Sequence, residues 1–287
     1  MNLSKIIIFV STLTVAALLG WYAFSLYHTC ELPPPVVGET DLVAGTSFPL
    51  ASEIYGTART INVYLPDGYG RNNDRYPVLY LVDGGFHQDY LPMAGMAALA
   101  TLSGQYRAFI LVGVQSENRQ LELTAASTIP EDLEYLPVNG GAAEFRRHLA
   151  DEVKPFIAAN YRTSGEDAII GESLAALFIT ETFLRAPHSF DHYIAVSPSL
   201  WWRDMGLSRE AASLLQAESF PNDRSYYLTV ADEGGMMIES VERLAAALEN
   251  HAPDGLNWWY EPMPDEHHHT IYNPATLRAL RHIFAVD

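Results

Sequence analysis

The sequence predicts an α/β protein whose core is a doubly wound, mostly parallel sheet flanked by helices. Two patterns predict it. Short, continuously apolar runs of strand length recur along the chain, as strands buried on both faces require. Between them lie stretches whose apolar residues return at helical spacing, and strands alternating with helices build parallel βαβ units. The size agrees: 48% of the 287 residues are hydrophobic, and the roughly 250 that follow an N-terminal apolar segment suit one large α/β domain.

In order, residues 1–5 form a short head with one basic residue, Lys5, and residues 6–27 carry no charge. That run is long enough to cross a bilayer as a helix, at ~1.5 Å per residue over a hydrocarbon core of ~30 Å. It exceeds the ~7–15 residues of a signal-peptide core. Ala23 and Ser25 make a poor cleavage site, so the segment reads as an uncleaved anchor, with a cleaved signal as the alternative. Lys5 as the flanking basic residue puts the body outside the cytoplasm. Pro33-Pro34-Pro35 is a stiff extended spacer. The expected organisation is 1–30 anchor or signal, 31–39 spacer, 40–287 globular domain.

Within that domain, residues 60–65 (Thr-Ile-Asn-Val-Tyr-Leu) alternate like a strand and end in the turn Pro66-Asp67-Gly68. Residues 78–82 and 109–114 read as buried parallel strands. Phe145, Leu149, Val153 and Phe156/Ile157 recur on one helix face. Residues 129–140, around Tyr135, read as a long acidic flap facing the substrate. Further strands are expected at 167–170, 193–196, 226–231 and 257–260, the last including Trp258 and Trp259. Val241, Leu244 and Leu248 mark a helix, and 274–284 a closing helix with Pro274 in its first turn.

The chemistry centres on Gly171-Glu172-Ser173-Leu174-Ala175-Ala176. An apolar strand precedes it and a helical pattern follows, so Ser173 sits on a sharp strand-to-helix turn, the setting of a nucleophile elbow. The turn needs small neighbours, which Gly171 and Ala175 are; alanine stands where a second glycine is usual. The Leu174 N–H falls at a helix N-terminus, where it can stabilise an oxyanion. The plainer alternative is a serine capping an ordinary helix. A nucleophilic serine needs a base, a group that orients the base, and two oxyanion donors, the acid and histidine following the elbow in that order. The polar run Asp265-Glu266-His267-His268-His269-Thr270, between last strand and closing helix, offers the base. Its three adjacent histidines also allow a metal or a merely solvated loop, but adjacent side chains point apart. Asp232 and Glu233, just past the strand at 226–231, offer the acid, with Glu233 preferred. Gly84-Gly85 after the strand at 78–82 permits close backbone approach, and the Gly85 N–H is the candidate second oxyanion donor. Arg119 is a candidate substrate-binding residue or a surface ion pair. Trp201 is a candidate pocket wall or a packing aromatic.

The elbow, the run Ala195-Val196-Ser197-Pro198-Ser199-Leu200-Trp201-Trp202, and Leu79-Tyr80-Leu81-Val82-Asp83-Gly84 resemble the Putative esterase family of α/β-hydrolases. That family includes esterase D-like enzymes, mycolyltransferases and siderophore (enterobactin-type) trilactone esterases. The resemblance is nearest to the last group, whose segment after the fourth strand is also similar to Gly113-Val114 through Asn118-Arg119 to Leu123-Thr124. It spans residue 40 to the C-terminus. It implies an α/β-hydrolase fold, Ser173 as nucleophile, and Gly85 as oxyanion donor. It implies His268 as base, because the family's base lies a few residues before a Pro-Ala that here is Pro274-Ala275. Some siderophore esterases work with a Ser–His dyad and a displaced acid. An N-terminal anchor with a periplasmic body resembles one branch of the family.

The expected function is therefore a serine esterase acting on a small-molecule ester, with trilactone hydrolysis as the narrower alternative and an inactive binding module as the alternative of another class. No metal or organic cofactor is implied. A formal net charge of −18, from 17 basic and 35 acidic residues, repels nucleic acid and anionic lipid, so membrane contact is expected through the N-terminal segment alone. The body is expected at the bacterial inner membrane facing the periplasm, or free in the periplasm if the segment is cleaved. The single cysteine, Cys30, allows no internal disulfide.

Overall fold

Eight strands in one sheet carry the molecule. They are β1 (Thr46–Ala51), β2 (Ala58–Tyr64), β3 (Tyr76–Val82), β4 (Ile110–Val114), β5 (Thr163–Glu172), β6 (His192–Val196), β7 (Ser225–Thr229) and β8 (Asn257–Tyr260). The computed structural model describes residue 40 and residues 42–286 apart from 218, 219 and 222. The order across the sheet is β1-β2-β4-β3-β5-β6-β7-β8. β1 pairs antiparallel with β2, and β2 antiparallel with β4. Every other pairing is parallel.

The central strands are buried throughout: every residue of β3, β4 and β7 is enclosed. Both faces are covered, because side chains alternate across a strand. Val78, Tyr80 and Val82 of β3 enter one core, Leu79 and Leu81 the other. Against the second core pack α1 (Tyr90–Ser103) and the closing helix α9 (Tyr272–Ile283), through Met93, Ala97, Ala279 and Leu280. Against the first lie α4 (Ala142–Arg147), a π turn (His148–Val153) and α5 (Lys154–Asn160), then α6 (Leu174–Arg185), α7 (Trp202–Leu215) and α8 (Gly235–His251). Short helices α2 (Arg119–Glu122) and α3 (Pro130–Tyr135) sit in the connection after β4. Phe183 of α6 stacks on Tyr226 of β7 with ring centroids 4.3 Å apart. Removing a buried aromatic of this kind costs about 3–5 kcal/mol.

The strand expectations fall on β2 to β8 with shifted ends, β5 being the longest, at ten residues. Residues 129–140 differ from a structureless flap: Pro130 at the first turn starts α3, whose Asp132 is buried. The helical face of Phe145 to Ile157 is realised, but with one π turn, which takes up the extra residue in the wide 145–149–153 spacing. Among the described residues, no helix is long and apolar enough to cross a membrane. The expected anchor at 6–27, Cys30 and the spacer at 33–35 lie outside the described residues.

Candidate active site

Three neighbouring strands end on residues with left-handed backbone, which side chains other than glycine rarely adopt. They are Asp83 after β3 (φ 57°), Ser173 after β5 (φ 61°) and Ser197 after β6 (φ 42°). At Ser173, with ψ −117°, the chain turns directly into α6. The turn is held by backbone: Ser173 N–H donates to Val196 O (3.0 Å), and Ser173 O accepts from Ser199 N–H (3.1 Å). A methyl group on Gly171 would lie 2.6 Å from the Ala175 methyl. The small pair is thus required by contact, and alanine suffices at 175 because glycine stands opposite.

Ser173 Oγ lies 3.1 Å from His268 Nε2, and His268 Nδ1 lies 2.8 Å from Glu233 Oε2. The second oxygen of Glu233 accepts from Ser197 Oγ, which itself accepts from Ala231 N–H (3.1 Å). The hydrogen bond to Glu233 raises the His268 pKa above its ordinary value, against the opposing effect of burial. His268 arrives on a turn closed by Thr270 N–H and Ile271 N–H donating to His267 O. His267 and His269 are exposed and only His268 of the three turns inward. Among the described residues, no group of three or more His, Cys, Asp or Glu is arranged to hold a metal ion.

Asp232 is not brought to the imidazole. Its side chain is exposed, and its N–H donates to Glu266 O at 2.9 Å. That contact, with the bridge between Ala231 and Met263, laces the loop bearing Glu233 to the loop bearing His268. Alternation explains the difference: with Glu233 turned in, its neighbour must point away.

A cavity of about 380 Å³ opens beside Ser173, walled by Leu174, Arg119, Leu136, Ser199, Trp201 and His268. The Leu174 N–H is at the first turn of the twelve-residue α6. The Gly85 N–H is already engaged: it donates to Gln88 Oε1 at 2.9 Å, while Gln88 Nε2 donates to Ser116 O at 3.0 Å. Arg119 is both a cavity wall and an ion pair, its Nε donating to Asp83 Oδ2 at 2.6 Å and its Nη2 to Glu172 O at 3.3 Å. Trp201 faces the cavity, whereas Trp202 is buried and donates from Nε1 to Ala125 O at 2.9 Å. Burial pushes the Glu172 carboxyl, next to the elbow serine, up to about 7.

Sequence reasoning missed three contributors: Ser197 on the acid, Ser199, whose hydroxyl lies 3.2 Å from Ser173 Oγ, and Gln88. The Ser-Pro-Ser run was the available signal for the first two. β6 lies between β5 and β7 in the sheet, so whatever follows β6 falls between the elbow and the acid.

The model of the family described as Putative esterase matches residues 52–237. A relative in Bacillus subtilis, the ferri-bacillibactin esterase BesA, is 27% identical over 228 residues, 72% of this chain and 78% of that protein. A siderophore enterobactin esterase of Emericella nidulans is 40% identical over 76 residues, a match that spans 25% of either chain. Among solved structures, an IroE-like serine hydrolase from Shewanella oneidensis superposes with a TM-score of 0.76 at 24% identity, covering 85% of this chain and 82% of that one. At that identity the likeness speaks for the fold.

Proposed function

This chain belongs to the Putative esterase family, and from that premise we propose that it hydrolyses carboxylic esters through an acyl-enzyme on Ser173. The observation that supports the reading most is the relay of 3.1 Å and 2.8 Å from Ser173 through His268 to Glu233 at the carboxyl ends of β5 and β7. In the proposed reaction His268 Nε2 takes the Ser173 proton as Oγ attacks the ester carbonyl carbon. Glu233 holds the Nδ1–H and stabilises the imidazolium. The Leu174 N–H, and the Gly85 N–H once Gln88 releases it, hold the oxyanion. The carbonyl re-forms, the C–O bond to the alcohol breaks, and the alcohol leaves with the proton from His268. Water, deprotonated by the same nitrogen, then attacks the acyl carbon; the bond to Oγ breaks, His268 returns the proton to Ser173 Oγ, and the acid leaves.

A fluorophosphonate probe tests this. Labelling of the native protein that vanishes in Ser173→Ala is the expected result. His268→Ala should lower kcat by about 10³-fold or more, and His267→Ala and His269→Ala should not. Folded native protein that takes no label would leave a binding module instead, and a larger loss at either neighbouring histidine would move the base.

The second reading, supported by the siderophore esterases among the relatives, is hydrolysis of a siderophore trilactone. Turnover compared across simple esters and a trilactone decides between the two. We further propose that residues 1–30 anchor the protein in the inner membrane, with 31–39 as spacer and the body in the periplasm. N-terminal sequencing of the membrane fraction distinguishes this from a cleaved signal.

A further inference from the structure

The cavity at Ser173 does not end at Trp201. The same ring lines a second hollow of about 390 Å³, with Ile129, Glu131, Asp132, Tyr135 and Met236. Tyr135, Trp201, Met236 and Met237 line a third, of about 250 Å³. Tyr135 and Trp201 line all three, so the hollows adjoin at these two rings, and we read them as one trough that includes the serine.

Its rings brace one another. Tyr135 meets Trp201 edge to face, centroids 6.1 Å apart, and Trp201 meets Trp202 the same way at 5.8 Å. Arg203, Asp204 and Met205, directly after the tryptophans, are all left-handed. That turn is pinned to α3 by Asp132, which is buried and accepts from Arg203 N–H at 3.1 Å and from Ser127 Oγ. The two aromatic walls therefore come from the end of α3 and the residue that precedes α7, with one buried carboxylate joining the two segments.

The lining combines apolar side chains with acidic ones. Two rings and two thioethers suit a flat aromatic guest, through ring–ring and sulfur–ring contact. The charges are Glu131 and Asp132, with Asp204 offset by Arg209. At the serine end the positive charge of Arg119 is matched by Asp83 at 2.6 Å. The net charge of −18 adds a long-range repulsion of anions. Among the described residues that line the three hollows, Arg119 is the only arginine or lysine, and it already carries a carboxylate.

The geometry points to an extended ester whose uncharged, aromatic acyl arm lies along Tyr135, Trp201 and Met236 while its carbonyl sits at Ser173; an anionic arm, or an anionic metal chelate, is disfavoured. This rests on Ser173 being the acylated residue.

Three 4-nitrophenyl esters separate the two ideas: the acetate, the 4-phenylbutyrate, and the 4-phenylbutyrate with a carboxylate on the para position of its ring. The expected kcat/KM is highest for the neutral aryl ester, and about tenfold or more lower for its carboxylated form. Added salt should narrow that second gap. Trp201→Ala should cut the ratio of phenylbutyrate to acetate turnover about tenfold. Met236 is 53% exposed, so Met236→Lys folds, and its cation should shift the preference toward the carboxylated ring. A carboxylated ester turned over as fast as the neutral one, or an unchanged ratio in Trp201→Ala, overturns the assignment while the hydrolase stands. No turnover of any of the three by folded protein overturns both.

Discussion

At Gly85 the N–H that would hold an oxyanion donates instead to Gln88 Oε1, and Gln88 is braced at its other end by Ser116 O. A substrate oxygen must compete with that amide for the same hydrogen. A neutral amide competes weakly with a developing alkoxide, and a carboxylate in its place competes strongly while repelling the new charge. Gln88→Glu is therefore expected to lower kcat about tenfold or more, roughly 1.4 kcal/mol of transition-state stabilisation. Steady-state kinetics on a soluble ester check it. At His268 the raised pKa has a definite sign. The imidazole must be neutral to act as base, and Glu233 favours its protonated form. The acid limb of kcat/KM should thus have its midpoint above the ordinary histidine value of about 6.5. Glu233→Gln removes the charged partner and should move the limb to lower pH while reducing kcat, which a pH–rate profile of both proteins would show.

How much of each element could be read in advance depended on how completely it is buried. β3, β4 and β7 were legible because their burial leaves no polar position to blur the run. α1 was not: Tyr-Leu-Pro-Met-Ala-Gly-Met-Ala-Ala-Leu is apolar at nearly every position, so no polar face marks a helical period. α7 was hidden because it opens on three left-handed residues. β1 is an edge strand with alternating half-exposure and a proline, the composition of a loop as much as of a strand. In the site, Ser173 carries its own local signature, and the histidine loop and acid follow from chain order. Ser197, Ser199 and Gln88 do not, because what brings them in is strand register, with Val196 level with Glu172 on one side and Thr229 on the other. The choice of Glu233 over Asp232 likewise depended on which way one loop residue faced.

For the molecule as a whole, one carboxylate ties the sheet edge to the helical layer. Glu152 in the π turn accepts from Ser52 Oγ (2.6 Å), Glu53 N–H (2.8 Å) and Ile54 N–H (3.1 Å), the residues just after β1, and meets His148 Nδ1 at 2.6 Å. Burial opposes its ionisation, but these bonds outweigh it and hold its pKa down to about 2. A carboxylate with a depressed pKa stabilises the fold above its unfolded value, about 4.3, and that contribution disappears as pH falls toward the folded value. Glu152→Gln is expected to melt a few degrees below the parent at neutral pH. The gap should close between about pH 4.3 and about pH 2, as thermal melts across that range would reveal.

The lacing of Asp232 N–H to Glu266 O and of Ala231 to Met263 makes the proposed acid, Glu233, and the proposed base, His268, a single transplantable unit. Beyond the turn that closes the histidine loop on itself, each loop braces the other through main-chain contacts. A chimera with a distant homologue keeps its alignment when the stretch from β7 through the histidine turn is exchanged whole, and loses it when either half is exchanged alone. The same bonds leave the exposed side chains of Asp232 and His267 at liberty to vary.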